Sequence, residues 1–249
     1  MNCKNPIFIV GAPRSGTTLL RSVLDAHPNI CCPPWETGVF DRLSQFVSGD
    51  FEKPRGPEAN FCPLSREEIL KWIHTATNDL IRLMVSQSGK PRWGEKTPSH
   101  VFHLDLIDEV FPEAQFIHIV RNGKDVVKSL QNVGWATGGI RWSVRRWVDS
   151  VNAGRASGEK LGKGRYVEVR YEELTSKPEM VLPKLCEFLG ESFFPQMLEF
   201  NRPENNSWGL NAETIRTQPV NKRHYRELTL FERIILKAKA GSLLRELGY

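Results

Sequence analysis

The chain has 249 residues, enough for one α/β domain with a full core, and its 34 lysines and arginines against 29 aspartates and glutamates leave a net charge of +5. With 40% apolar and 25% charged residues the composition is that of an ordinary globular protein, and no stretch approaches the roughly eighteen uninterrupted apolar residues of a membrane span. The modest positive charge favours an anionic small ligand, while scattered basic residues without a zinc-finger, RNA-recognition or helix-turn-helix signature argue against nucleic acid.

The N-terminus has no apolar leader core, so a cytoplasmic protein is expected. The five cysteines (Cys3, Cys31, Cys32, Cys62, Cys186) fit that expectation: an odd number, without metal-ligand spacing, and with an adjacent pair that suits disulfide geometry poorly. Reduced thiols follow.

In chain order, Ile7 to Val10 is a β-branched and aromatic run, the pattern of a strand buried on both faces. Gly11 and Gly16 then bracket a tight loop containing Arg14 and Ser15, and Thr17 and Thr18 open a helix with Leu20, Val23 and Leu24 at helical spacing, closed by Pro28. Such a loop aims backbone N–H groups and a helix N-terminus at one point, which suits phosphate or sulfate. The spacing Gly11-x-x-x-x-Gly16-Thr17-Thr18 is that of a Walker A loop with threonine in the place of the lysine. Arg14 is the loop's cation, and its planar fork fits the oxygens of one phosphate or sulfate group.

Asn29 to Pro34 should run extended beside this loop and deliver Glu36. Residues 48 to 64, rich in proline and glycine, read as a surface loop able to lie over a binding site. Ser65-Arg-Glu-Glu68 is a capping box for a helix to about Gln87, with Ile69, Ile73, Ala76, Leu80 and Leu83 predicted on its apolar face. After Trp93-Gly-Glu-Lys-Thr-Pro98 a helix is predicted with Ser99 as its cap, ending before Pro112. Gln115 to Val120 is the next convincing core strand and puts Arg121 at its C-terminal end, where open α/β sheets keep ligands. The helix that follows carries Val126, Val127 and Leu130, and Ser129 lies two turns along it, able to face the same side as its start. His118 alternates with Ile117 and Ile119 and reads as a packing histidine.

Arg141 to Ser157 reads as a helix that buries Trp142, Val144, Trp147, Val148 and Val151 and solvates its arginines. Arg165 to Tyr171 alternates like a strand, and Pro178 starts a further helix that Pro183 should kink. Residues 201 to 211 are polar and turn-rich. Thr229-x-x-Glu232 caps the last helix, with Ile234, Ile235, Ala238 and Leu244 predicted inside. Strand–loop–helix units of this kind imply a central parallel sheet flanked by helices, in one domain spanning residues 1–249.

Pro13-Arg-Ser-Gly-Thr-Thr-Leu-Leu20, continued by Asp25-Ala-His-Pro28 and Trp35-Glu-Thr37, resembles the 5′-phosphosulfate loop of P-loop sulfotransferases that use 3′-phosphoadenosine 5′-phosphosulfate (PAPS). The run is most similar to the tyrosylprotein and bacterial branches of that family. The resemblance covers residues 6–40, 93–134 and 165–190 well and the C-terminal third loosely.

The resemblance implies roles for individual residues. Arg14, Ser15, Gly16, Thr17 and Thr18 would hold the 5′-phosphosulfate; Glu36 would take the acceptor's proton, although this chain carries one residue more than the family between His27-Pro28 and the glutamate. Lys96, in a Lys-x-Pro element, would stand near the oxygen bridging phosphate and sulfate, with Glu95 orienting it. Arg121 and Ser129 match the 3′-phosphate site, and Tyr171 in Arg170-Tyr-Glu-Glu-Leu174 matches the border of the adenine pocket. Thr214 to Asn221 with Lys222 and Arg223 resembles the late loop that closes over the cofactor.

The function expected on these grounds is transfer of the sulfuryl group of PAPS to a hydroxyl of a phenol, peptide tyrosine, sugar or lipid, without a metal. A P-loop kinase using ATP and a non-catalytic module binding 3′-phosphoadenosine nucleotides are the alternatives.

Overall fold

The computed structural model describes residues 5–47, 64–199 and 226–249. Among these, five parallel strands make one sheet in the order β2-β3-β1-β4-β5: β1 is Ile7–Gly11, β2 Ile30–Cys31, β3 Arg92–Lys96, β4 Gln115–Val120 and β5 Tyr166–Arg170. The central strand is β1, whose Ile7 stands opposite Gly94 of β3 on one side and Gln115 of β4 on the other.

Both faces of the sheet are covered, as a parallel sheet of apolar strands requires. Ile7 and Ile9 of β1, with Ile117 and Ile119 of β4, pack against Leu20 and Leu24 of α1 (Thr17–Asp25) and Leu182 and Leu185 of α8 (Pro178–Leu189). The intervening Phe8 and Val10 point to the other face and meet α2 (Val39–Val47), α3 (Arg66–Val85) and α4 (Leu104–Val110). There the Phe8 ring lies 5.6 Å from that of Trp93 and 5.9 Å from that of Phe40, both edge-on. Burying one such ring contributes about 1.5–3 kcal/mol, which holds β1 at the centre. A third cluster joins α5 (Gly123–Leu130), α6 (Gly139–Leu161) and α9 (Leu230–Glu246). The short α7 (Tyr171–Ser176) follows β5 directly.

Several local readings hold. Ser65 and Thr229 each form the predicted capping box, with Glu68 and Glu232. His118 is fully buried, its Nδ1 2.6 Å from the Tyr166 hydroxyl, and burial, helped by the nearby Arg155 charge, lowers its pKa to about 3. Cys31, Cys32 and Cys186 are free and buried.

Other expectations are corrected. The core-facing line of α3 runs through Ile73, Thr77, Ile81 and Val85, and Ala76, Leu80 and Leu83 are exposed. A four-residue line is inclined to the helix axis, and a helix crossing its neighbours at an angle buries such a ridge in place of the straighter apolar stripe. Ser99 caps no helix: its hydroxyl donates to Asp41 Oδ2 at 2.6 Å, residues Pro98–Phe102 form 3₁₀ turns, and α4 starts only at Leu104. Helix α6 is longer than expected and buries Trp147 but leaves Trp142 exposed, because its inner line of Val144, Trp147, Val151 and Gly154 excludes position 142. In α9 the buried residues are Ile235, Leu236, Ala240 and Leu243; apolar residues occupy most of its circumference, and packing against α6 leaves Ile234 and Ala238 outside.

Candidate active site

The loop between β1 and α1 is shaped by three backbone positions. Gly11 has φ 150° and Gly16 φ 106°, and Arg14, with φ 73°, is the one non-glycine in the left-handed region among the described residues. A Cβ on Gly11 would sit 2.5 Å from the Ile119 carbonyl oxygen, and one on Gly16 2.3 Å from Cδ2 of Tyr171, so the loop is pressed against β4 and α7 at both ends. Within it the backbone N–H and the hydroxyl of Ser15 both donate to the Ala12 carbonyl, at 3.1 and 2.6 Å. Helix α1 begins at Thr17 without a side-chain cap, which leaves the amides of its first turn for an anion.

From the β4–β5 side, three of the sequence-predicted residues close on this loop. Arg14 Nε donates to Ser129 Oγ at 3.0 Å, across 115 residues of chain. The guanidinium of Arg121 donates to the Arg14 carbonyl at 3.3 Å and stacks 4.2 Å over the ring of Tyr171. Its Nε is buried and, among the described residues, has no hydrogen-bond partner. A buried guanidinium donor left open beside uncapped helix amides fits an anionic group of a ligand. The backbone of Arg121 is itself fixed: Trp147 Nε1 donates to its carbonyl at 3.1 Å, and Glu172 accepts from Asn122 N at 2.9 Å and from the Tyr249 hydroxyl at 2.8 Å.

From the β2–β3 side come Glu36 and Lys96. Lys96, the last residue of β3, is 3% exposed and forms an ion pair and hydrogen bond with Oε1 of Glu36, whose side chain is 49% exposed. The pair joins a buried cation to a carboxylate facing solvent.

Glu95 does not orient Lys96. Successive strand residues point to opposite faces, so Glu95 shares its face with Thr97 and turns away from its neighbour. Its buried carboxylate accepts from the Thr97 hydroxyl at 2.5 Å and from the Thr37 hydroxyl and N–H at 2.8 and 3.3 Å, with His100 Nδ1 3.0 Å from the second oxygen. Burial by itself would raise the Glu95 pKa; the facing His100 and the two hydroxyls outweigh it and hold the carboxyl below its ordinary range. Lys222 and Arg223, and the loop expected over the acceptor, lie outside the described residues apart from Leu64.

A family model described as the sulfotransferase family matches residues 6–195, a span that contains every one of these contacts except that to Tyr249. The chain belongs to the sulfotransferase family. It is 30% identical over 194 residues to the protein-tyrosine sulfotransferase of Drosophila melanogaster, covering 74% of this chain and 37% of that protein. It is also 30% identical over 193 residues to protein-tyrosine sulfotransferase A of Caenorhabditis elegans, covering 74% and 49%. The chain thus spans between about a third and a half of the length of these two curated relatives. The sulfotransferase domain of the Synechococcus PCC 7002 olefin synthase shares the fold, with a TM-score of 0.58 at 23% identity over 96% of this chain and 97% of that one. No helix among the described residues is long and apolar enough to cross a membrane.

The structure brings together Arg14, Arg121, Ser129 and Tyr171 on one side and Glu36 and Lys96 on the other, and the sequence had singled out each of the six. Sequence reasoning missed what stands behind Glu36, namely Thr37, Thr97 and His100 around Glu95. The signal available was the alternation Glu95-Lys96-Thr97 at and just past the end of β3.

Proposed function

We propose that the chain, as a single sulfotransferase domain over residues 1–249, transfers the sulfuryl group of PAPS to a hydroxyl acceptor. The observation that carries this reading is the Lys96–Glu36 pair standing at the same strand ends as the loop bound to Arg121 and Ser129. Bound PAPS would supply the activated sulfuryl group. Arg14, Thr17, Thr18 and the amides of Ser15 and Gly16 hold its 5′-phosphosulfate, and Arg121 and Ser129 hold the 3′-phosphate, where the open Nε of Arg121 provides a donor. Tyr171 borders the base. Glu36 accepts the acceptor's proton, for which its exposure gives access. Lys96 and Arg14 place positive charge where the departing phosphate gathers negative charge, so no metal is required. The acceptor is a phenol, peptide tyrosine, sugar or lipid, and the protein works in the cytoplasm.

Calorimetric titration with adenosine 3′,5′-bisphosphate, AMP and ATP–magnesium, in wild type and Arg121→Ala, tests the reading. Tight binding of the bisphosphate alone, abolished in the variant, is the expected result. Preference for ATP–magnesium, or indifference to the 3′-phosphate, would replace it with a kinase.

A further inference from the structure

The segment that follows Glu36 is held in an unusual way. Four successive backbone amides, those of Thr37, Gly38, Val39 and Phe40, each donate to a side chain, at 3.3 Å in every case: to Glu95 Oε1, Thr97 Oγ1, Thr37 Oγ1 and His100 Nε2. Every acceptor leads back to one carboxylate. Thr37 and Thr97 each accept an amide and pass their own hydroxyl proton to Glu95 Oε1, at 2.8 and 2.5 Å. His100 accepts from Phe40 at Nε2, so its proton sits on Nδ1, which faces Glu95 Oε2 at 3.0 Å. Glu95, Thr97 and His100 are 3% exposed or less, so water does not compete.

Glu36 is therefore gripped from two neighbouring residues of one strand. Lys96 holds its carboxylate and Glu95 holds the backbone that leaves it. Resting on the reading of Glu36 as the proton acceptor, we propose that Glu95 is the positioning residue for Glu36, acting through Thr37, Thr97 and His100 on the four amides that follow. Only an ionised carboxylate can accept from both Thr37 and Thr97 at one oxygen and turn its other oxygen, without a proton, to His100 Nδ1, because a carboxamide would point a donor there. The spacing between Glu36 and Lys96 is then set by β3 and not by the surface loop.

The test uses the full chain as wild type, Glu95→Gln, the milder Thr37→Val, Glu36→Gln and the double variant Glu36→Gln/Glu95→Gln. Amide hydrogen exchange over residues 36–42, affinity for adenosine 3′,5′-bisphosphate, and conversion of PAPS to the bisphosphate with 4-nitrophenol as probe acceptor are measured together. Glu95→Gln should speed exchange of the four amides about tenfold or more, leave bisphosphate affinity and the KM for PAPS unchanged, and lower turnover about tenfold to a hundredfold. Thr37→Val should show a weaker form of the same pattern, and serves if Glu95→Gln does not fold. Glu36→Gln alone should leave the exchange as in wild type, and adding Glu95→Gln to it should cost no further turnover. Unchanged exchange in Glu95→Gln would overturn the anchor, and additive losses in the double variant would reduce it to a structural support. Failure of the wild type to bind the bisphosphate would instead overturn the sulfotransferase chemistry, with the exchange result still deciding whether Glu95 holds the segment.

Discussion

At the edge of the sheet where the strands begin, Arg92 has every donor group engaged: Nε to the Asn5 carbonyl at 2.6 Å, Nη1 to the Leu189 carbonyl at 2.7 Å and Nη2 to Gln115 Oε1 at 2.5 Å, with Glu191 3.5 Å away. At the edge where the strands end, Arg121 keeps a buried Nε unpartnered among the described residues, Arg14 sits in a left-handed conformation, and Lys96 is paired to a half-exposed carboxylate. Arg92 is buried and Arg121 half-buried with a buried Nε, yet only the first has every nitrogen satisfied by protein. A guanidinium whose donors all end on protein contributes to stability, whereas one left partly open has its remaining donor available to a ligand.

The comparison breaks most sharply at Arg92. Arg92→Met removes the cation beside Glu191 and the donors to the Asn5 and Leu189 carbonyls, and the expected loss is about 3–5 kcal/mol in chemical denaturation, with bisphosphate affinity of the folded fraction unchanged. At the other edge the same experiment gives the reverse. Glu36→Gln should lower turnover about a hundredfold or more and move the denaturation midpoint by less than about 1 kcal/mol, as for a pair open to solvent on one side. Arg14→Gly sharpens the contrast further: relief of the left-handed backbone should leave the protein unchanged or up to about 1 kcal/mol more stable, while calorimetry shows bisphosphate affinity falling tenfold or more as the contact to Ser129 is lost. The last effect is a slope with pH. Because His118 is lowered to about 3 from 6.5, the unfolded chain takes up a proton that the folded one refuses. Stability should therefore fall as pH drops from about 6.5 towards 3, by no more than about 1.4 kcal/mol per pH unit from this group. Denaturation midpoints at pH 7 and pH 5 should show a shallower slope in His118→Phe.

Which features were legible in the sequence follows from their range along the chain. The strand, loop and helix of residues 7–25 and the two capping boxes are written in neighbouring residues, and the structure has them as read. The place of Arg121 at a strand end was equally local. The Glu95 cluster joins residues about 60 apart, and Arg92 binds partners from Asn5 to Glu191; their composition alone marks them as ordinary charged residues. The inner face of α3 was misread for a related reason. The helix offers two apolar lines, and only its packing against α2 and α4 selects the one containing Thr77 over the one containing Leu80 and Leu83.

The central position of β1 divides the site between two stretches of chain. Glu36, Lys96 and the Glu95 cluster all come before β4, and Arg121, Ser129 and Tyr171 all come after its core, with the glycine loop alone shared between them. Recombination between relatives at a single crossover in the Phe111–Ala114 turn would therefore exchange Glu36, Lys96, the Glu95 cluster and the glycine loop as one inherited block while leaving Arg121, Ser129 and Tyr171 with the supports of their own half. A library of such chimaeras could vary that block with one breakpoint, a freedom that a fold with its site scattered over every strand would not offer.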